Sequence, residues 1–325
     1  MDGAEEAGAL RPATIEVSSE ALDRARFGFH RAFPRLSAKR VLFVTQGVGL
    51  GLIGWGVAAA LDRDAALTLR IMFLAAYLVF AACIIWRLLA AANLTPLLSR
   101  IGEPRGGVWP TYTLLCPVYR EANVVVDLIA ALDRLDYPRQ ALDIKILVEA
   151  DDLETLAAAL AAKSGPHIEV VAIPAAAPRT KPKALNVGLE LARGDFVCVY
   201  DAEDRPHPLQ LRASILAFED GGARLACVQA PLVVDNAASS WISRQFAAEY
   251  AIQFREVLPL LARIGAPVAL GGSSNHFRKE ALRDAGGWDP FNVSEDRANF
   301  ANKLNRFRTR AFHIPFVSQS CASAA

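Results

Sequence analysis

Two long apolar runs lie toward the start of the chain, and shorter apolar runs alternate with mixed segments after them. Residues 41–61 read VLFVTQGVGLGLIGWGVAAAL, with no charged side chain. Residues 65–92 form a second run, broken by Arg70 and Arg87 near its ends. About 20 apolar residues in a helix reach across the hydrocarbon core of a bilayer. Gly47, Gly49, Gly51, Gly54 and Gly56 weaken a helix in water but permit close helix contact in lipid. With the polar turn Asp62-Arg63-Asp64 between the runs, residues 41–92 predict a transmembrane helical hairpin. Residues 1–40 precede it as an N-terminal tail. The first 22 or so show no periodic apolar face and predict disorder.

After Pro104-Arg105-Gly106-Gly107 the pattern changes to short Val/Ile-rich runs at 112–117, 144–149, 168–173, 195–200 and 225–229. Helical stretches at 122–135, 153–163, 183–192 and 208–219 lie between them. This alternation predicts an α/β domain: a Rossmann-like mixed sheet with helices on both faces. Residues 239–264 predict a long amphipathic helix, with Trp241, Phe246, Tyr250, Phe254, Leu258 and Leu261 on one face.

Composition narrows the possibilities. Lys+Arg is 35 and Asp+Glu is 34, so no basic excess points to nucleic acid. The five cysteines form no CxxC pair and predict buried thiols, not a zinc site or a disulfide framework. Arg24, Arg26, Arg31, Arg35, Lys39 and Arg40 precede the hairpin, and Arg87, Arg100 and Arg105 flank its exit. The positive-inside rule then places both ends, and the α/β domain, in the cytosol of an inner or plasma membrane.

Open α/β sheets bind ligands beyond the carboxyl ends of their strands. Those ends carry Tyr119-Arg120-Glu121, Glu149-Ala150-Asp151-Asp152, Lys181 after the third strand, and Asp201-Ala202-Glu203-Asp204. Asp201 and Glu203, two residues apart, suit a hard cation such as Mg²⁺ or Mn²⁺. Lys181 suits phosphate as a point charge, and Asp151 or Asp152 could accept from a base N–H. Asp152 and Asp204 also suit helix capping.

The ordered set PVYRE (117–121), EADD (149–152), KPKALN (181–186), YDAED (200–204), VQAPL (228–232), GGSSNHFR (271–278) and GGWDPFNVSED (286–296) resembles the family 2 glycosyltransferases, in their cellulose-synthase-like membrane branch. The resemblance spans about 112–296 and implies a GT-A domain over 108–296. It implies inverting, metal-dependent transfer from a nucleotide-diphosphate sugar to a glycan or lipid acceptor. Tyr119, Glu121, Asp151, Asp152, Lys181 and Asn186 then border the nucleotide-sugar, and Asp201 and Glu203 hold the metal. Asp296 is the expected general base, supported by Glu295. Gly272, Ser273 and Trp288 belong to the acceptor region, with Trp288 either stacked on a sugar or packed in the core. His276 is expected to be packed.

After Asp296 the resemblance weakens: no QxxRW follows, and 297–325 predict a divergent tail of a truncated or frame-shifted enzyme. The alternative function is then a catalytically impaired relic that binds nucleotide only, or a non-catalytic membrane protein. A nucleotidyltransferase is disfavoured, because no Gly-rich basic loop follows the first strand.

Overall fold

The computed structural model describes residues 14–40, 42–92, 102–266, 268, 270–292, 308–311 and 318–320, the last two segments as backbone. The chain divides into two compact units, residues 38–94 and the remainder. The smaller holds two helices, Val44–Arg63 and Ala65–Ala92. Both are long and apolar enough to cross a membrane. The first buries none of its residues. At the turn, Asp64 Oδ1 accepts the Leu67 amide at 2.9 Å and the Thr68 hydroxyl donates to the Ala60 carbonyl. The junction is thereby capped within two residues.

The larger unit begins earlier than the sequence predicts. The N-terminal tail contains strand β1 (Ile15–Glu16), within the first 22 residues expected to be disordered, and helix α1 (Ser19–Ala32), which starts there. Ser18 caps α1 by accepting the Ala21 amide at 3.2 Å. Ala21, Ala25 and Phe29, spaced by four, are its buried residues. With the hairpin as α2 and α3, the unit continues through β2 (Tyr112–Val118), α4 (Ala122–Asp133), β3 (Leu142–Glu149), α5 (Leu153–Ala162), β4 (Ile168–Ile173), α6 (Lys181–Leu191) and β5 (Phe196–Val199). Then follow β6 (Asp204–Arg205), α7 (Gln210–Gly221), β7 (Leu225–Gln229) and β8 (Leu232–Val234). Helix α8 (Trp241–Ile252) runs through a π-helical turn, Gln253–Val257, into α9 (Leu258–Ile264). Strand β9 (Asn275–Arg278), helix α10 (Lys279–Asp284) and strands β10 (Arg308–Ala311) and β11 (Ser318–Ser320) complete the described elements.

The main sheet has the order β1-β4-β3-β2-β5-β9-β7-β10. Strands β4, β3, β2 and β5 pair in parallel, whereas β9 runs antiparallel to β5 and β7. Strands β6, β11 and β8 form a second, small sheet. The predicted divergent tail therefore supplies β10 to the main sheet and β11 to the small one.

Successive strand residues face opposite sides of a sheet. Leu114, Ile144, Ile146 and Val148 pack with Leu128, Leu132 and Ile215 on one face. Leu115, Leu147, Val171 and Val197 pack with Leu185, Leu189 and Ala25 on the other. Each such side chain contributes roughly 1.5–3 kcal/mol by leaving water. Two cores clamp the parallel strands, so their carboxyl ends form a rigid rim.

Candidate active site

A cavity of about 510 Å³ opens at that rim. Its lining comes from the ends of β2 (Tyr119, Glu121) and β3 (Glu149), from the turn and first residue of α6 (Arg179, Lys181), and from the turn after β5 (Asp201, Glu203). Four separate stretches of chain thus meet around one space, as the motif positions predict.

Glu149 is the last residue of β3 and is 7% exposed. The sequence motifs point instead to its neighbours Asp151 and Asp152. One of its oxygens meets the Lys183 ammonium at 2.5 Å. The other has no hydrogen-bond partner among the described residues. Lys183 is fully buried and also donates to the Ala176 carbonyl at 3.2 Å. A buried carboxylate oxygen without a donor is costly. The side chain as a whole lines the cavity. The signal in the sequence was the period of two, which puts Glu149 on the same face of β3 as Leu147, another lining residue.

Asp201 pairs with the Lys181 ammonium at 2.5 Å, and Lys181 also donates to the Gly272 carbonyl at 3.1 Å. Asp204 holds this corner from beneath. Its Oδ2 accepts the Asp201 amide at 2.8 Å and the Ser273 hydroxyl. Burial first, and the neighbouring Asp201 charge second, push the Asp204 carboxyl well above the usual carboxylate range. Glu121 is also raised, by partial burial above all and then by the nearby Glu203 and Asp201 charges.

Among the described residues no group of three or more His, Cys, Asp or Glu side chains is gathered for a metal. Asp201 and Glu203 nonetheless share the cavity, and two carboxylates fit a hard cation that keeps its other positions for water and phosphate oxygens. The cation fits only if Lys181 yields its contact with Asp201.

The remaining expected residues divide. Tyr119 lines the rim, with the Arg120 guanidinium 5.2 Å over its ring. Arg120 has φ 57, and its amide donates to Asp152 at 2.5 Å. Asp152 also accepts the Thr155 amide at 3.3 Å, so it caps α5 and locks the β2 turn. Asp151 pairs with Arg179, a lining residue, at 2.6 Å and is not itself among the residues that line the cavity.

One expectation is overturned, and one open alternative is decided. Asn186 does not face the cavity. Its amide donates to the Ala25 and Trp288 carbonyls at 3.1 and 2.8 Å, and its oxygen accepts the Trp288 amide at 2.9 Å. All its polar atoms are used inside the fold. Trp288 takes the core alternative: it is 4% exposed and meets Phe277 edge-on at 6.0 Å. Ser273 is buried on Asp204, and Gly272 touches the site through its carbonyl. His276 is packed as expected, against the Tyr112 hydroxyl at 2.7 Å. Burial lowers it to about 3, so it stays neutral. Glu295 and Asp296 lie outside the described residues.

Comparison with known proteins places the chain. It is similar to beta-monoglucosyldiacylglycerol synthase of Trichormus variabilis, 25% identical over 67% of this chain and 47% of that protein. It is similar to the probable glycosyltransferase YdaM of Bacillus subtilis, 25% identical over 58% of this chain and 45% of that one. The chain thus spans about half the length of the curated relatives it matches. In structure it resembles a mannosyltransferase of Pyrobaculum calidifontis solved with GDP-Man and Mn²⁺, at TM-score 0.58 and 21% identity. That likeness covers 77% of this chain and 68% of the other, and it shows a shared GT-A-like fold. The family match runs over residues 110–321, past Asp296, beyond which the motif resemblance weakens. By that match the chain belongs to Glycosyltransferase like family 2.

Proposed function

We propose that the chain transfers a sugar, with inversion, from a nucleotide-diphosphate sugar to a lipid or glycan acceptor at the cytosolic face of an inner or plasma membrane. The observation that carries this reading is the convergence of Glu149, Lys181, Asp201 and Glu203 on one cavity of about 510 Å³. Glu149, beside Tyr119 in the cavity lining, accepts from the nucleoside end of the donor. Lys181 exchanges Asp201 for the diphosphate. Asp201 and Glu203 hold Mg²⁺ or Mn²⁺, which when bound supplies positive charge against the leaving diphosphate. Asp204 keeps Asp201 aimed by holding its amide. Asp296, helped by Glu295, takes the acceptor hydroxyl proton.

A lipid acceptor is favoured by the Trichormus variabilis relative, named a beta-monoglucosyldiacylglycerol synthase. Membrane residence is supported by the apolar helices α2 and α3. Helix α8 adds Trp241, Ile242 and Phe246, which are 69, 61 and 58% exposed, as a surface for the headgroup region.

The test is thermal stabilisation of the purified chain by UDP or GDP with Mn²⁺, followed by sugar transfer from a labelled donor panel in membranes. A ligand of the native state raises the melting temperature. Absence of any nucleotide-dependent shift would reject the donor site. A shift without transfer would leave nucleotide binding alone.

A further inference from the structure

Residues 14–37 run from β1 through α1 to Ser37 and pack on the part of the large unit that presents Lys181 and Arg179. Strand β1 pairs with β4, Ile15 against Val171 and Glu16 against Ala172. Helix α1 then lies against α6. Arg26 reaches the loop before α6, donating to the Ala177 carbonyl at 2.6 Å, two residues before Arg179. The Ala25 carbonyl is taken by Asn186 in the middle of α6. The same asparagine grips Trp288 on both backbone sides. Gly287 has φ 67, and a Cβ there would sit 2.6 Å from the Asn186 oxygen, so only glycine fits.

Beyond Trp288 the contacts continue. Ser37 donates to Asp289 at 3.1 Å, and Phe27 and His30 each lie 6.2 Å from the Phe291 ring. Thr180, which immediately precedes Lys181, donates to the Pro290 carbonyl at 2.8 Å. One seam therefore joins three pieces: the N-terminal segment, the start of α6, and residues 288–292. The first supplies no lining residue to the cavity. The second carries Lys181. The third enters the stretch that leads to Glu295 and Asp296.

We propose that residues 14–37 are a positioning element of the donor site, acting through Arg26 and Asn186. The inference rests on the donor reading of the cavity. Arg26 fixes the loop that carries Arg179, and Asn186 fixes the rotation and height of α6, hence of Lys181. Both are positioning residues, since neither lines the cavity. The entropy of ordering a loop is met before the ligand arrives, which tightens binding without adding a ligand contact.

The test uses the full chain with Arg26→Ala, Arg26→Lys and Asn186→Ala, and Glu190→Gln as control. Glu190 pairs with Arg24 of α1 at the exposed far end of α6, a solvent-screened ion pair remote from the loop before α6. Amide hydrogen exchange is read over 174–182, and binding of UDP and GDP with Mn²⁺ by titration. Arg26→Ala is expected to speed exchange over 174–182 severalfold and to weaken nucleotide binding roughly fivefold, the scale of one lost hydrogen bond. Arg26→Lys restores part of both, and Glu190→Gln changes neither. Asn186→Ala shifts exchange at both 182–190 and 286–292. If the parent binds nucleotide and Arg26→Ala binds equally well with unchanged exchange, the positioning inference falls while the donor site stands. If the parent binds neither nucleotide, the donor site falls and this inference falls with it.

Discussion

The two faces of helix α6 make opposite use of polar side chains. On the cavity side, Lys181, Glu149 and Asp201 line open space, and Glu149 keeps an oxygen without a partner among the described residues. On the α1 side, Asn186 spends its side chain on Ala25 and Trp288. The first face is arranged for something that comes and goes, the second for permanence. Substitutions on the two faces should therefore separate ligand binding from stability.

The largest effect is expected where the faces meet, at the buried Lys183–Glu149 pair. Lys183→Met leaves a buried carboxylate without its cation and should cost about 3–5 kcal/mol in urea unfolding. Glu149→Gln added to Lys183→Met should recover part of that loss, because no charge is then stranded. Failure to recover would place the cost in packing instead. Next is Asp201→Ala, which should lower transfer by roughly a hundredfold, or about 3 kcal/mol. It should also remove stabilisation by Mn²⁺ and nucleotide, with little change in the melting temperature of the ligand-free chain. A large drop in that temperature would move Asp201 to the structural side of the comparison.

Asn186→Ala strands three backbone groups and should cost about 2 kcal/mol in urea unfolding, with the larger share in stability. The smallest effect concerns Glu121, whose carboxyl is raised by burial and by Glu203 and Asp201. A carboxyl raised on folding favours the native state when protonated, and that support is lost as pH rises through the raised value. Glu121→Gln should therefore gain stability at neutral pH, by less than about 1 kcal/mol, and the gain should shrink as pH falls toward 4. Melting curves of both proteins between pH 4 and 7 check the sign.

Much of the rim was legible in the sequence, because strand ends in an α/β sheet are fixed by pattern and ligand chemistry gathers there. Asp201, Glu203, Glu121 and Lys181 stand where that logic puts them. The errors have local causes. Asn186 was grouped with Lys181 by motif, yet five residues of helix turn through about 500°, leaving the two about 140° apart around the axis. They cannot share a cavity. Asp152 takes up the capping role that its position before α5 also predicts, with its carboxylate on backbone amides. Helix α1 was missed because its buried stripe is built of Ala21, Ala25 and Phe29, and alanine barely registers as hydrophobic contrast. The apolar helices of 44–92 carried the opposite signal, strong at every position and without a buried face in α2. The divergent tail lacks the expected motifs, yet β10 and β11 still pair, because backbone pairing needs no particular side chain.

The two residues of β1 have a use apart from the seam. Without them, the outer side of β4 would present unpaired amides and carbonyls along a Val/Ile-rich strand. Such a border recruits strands from other molecules. The chain's own beginning thus acts as a selvedge, and a protein shortened past Glu16 should precipitate on concentration even where its interior still folds.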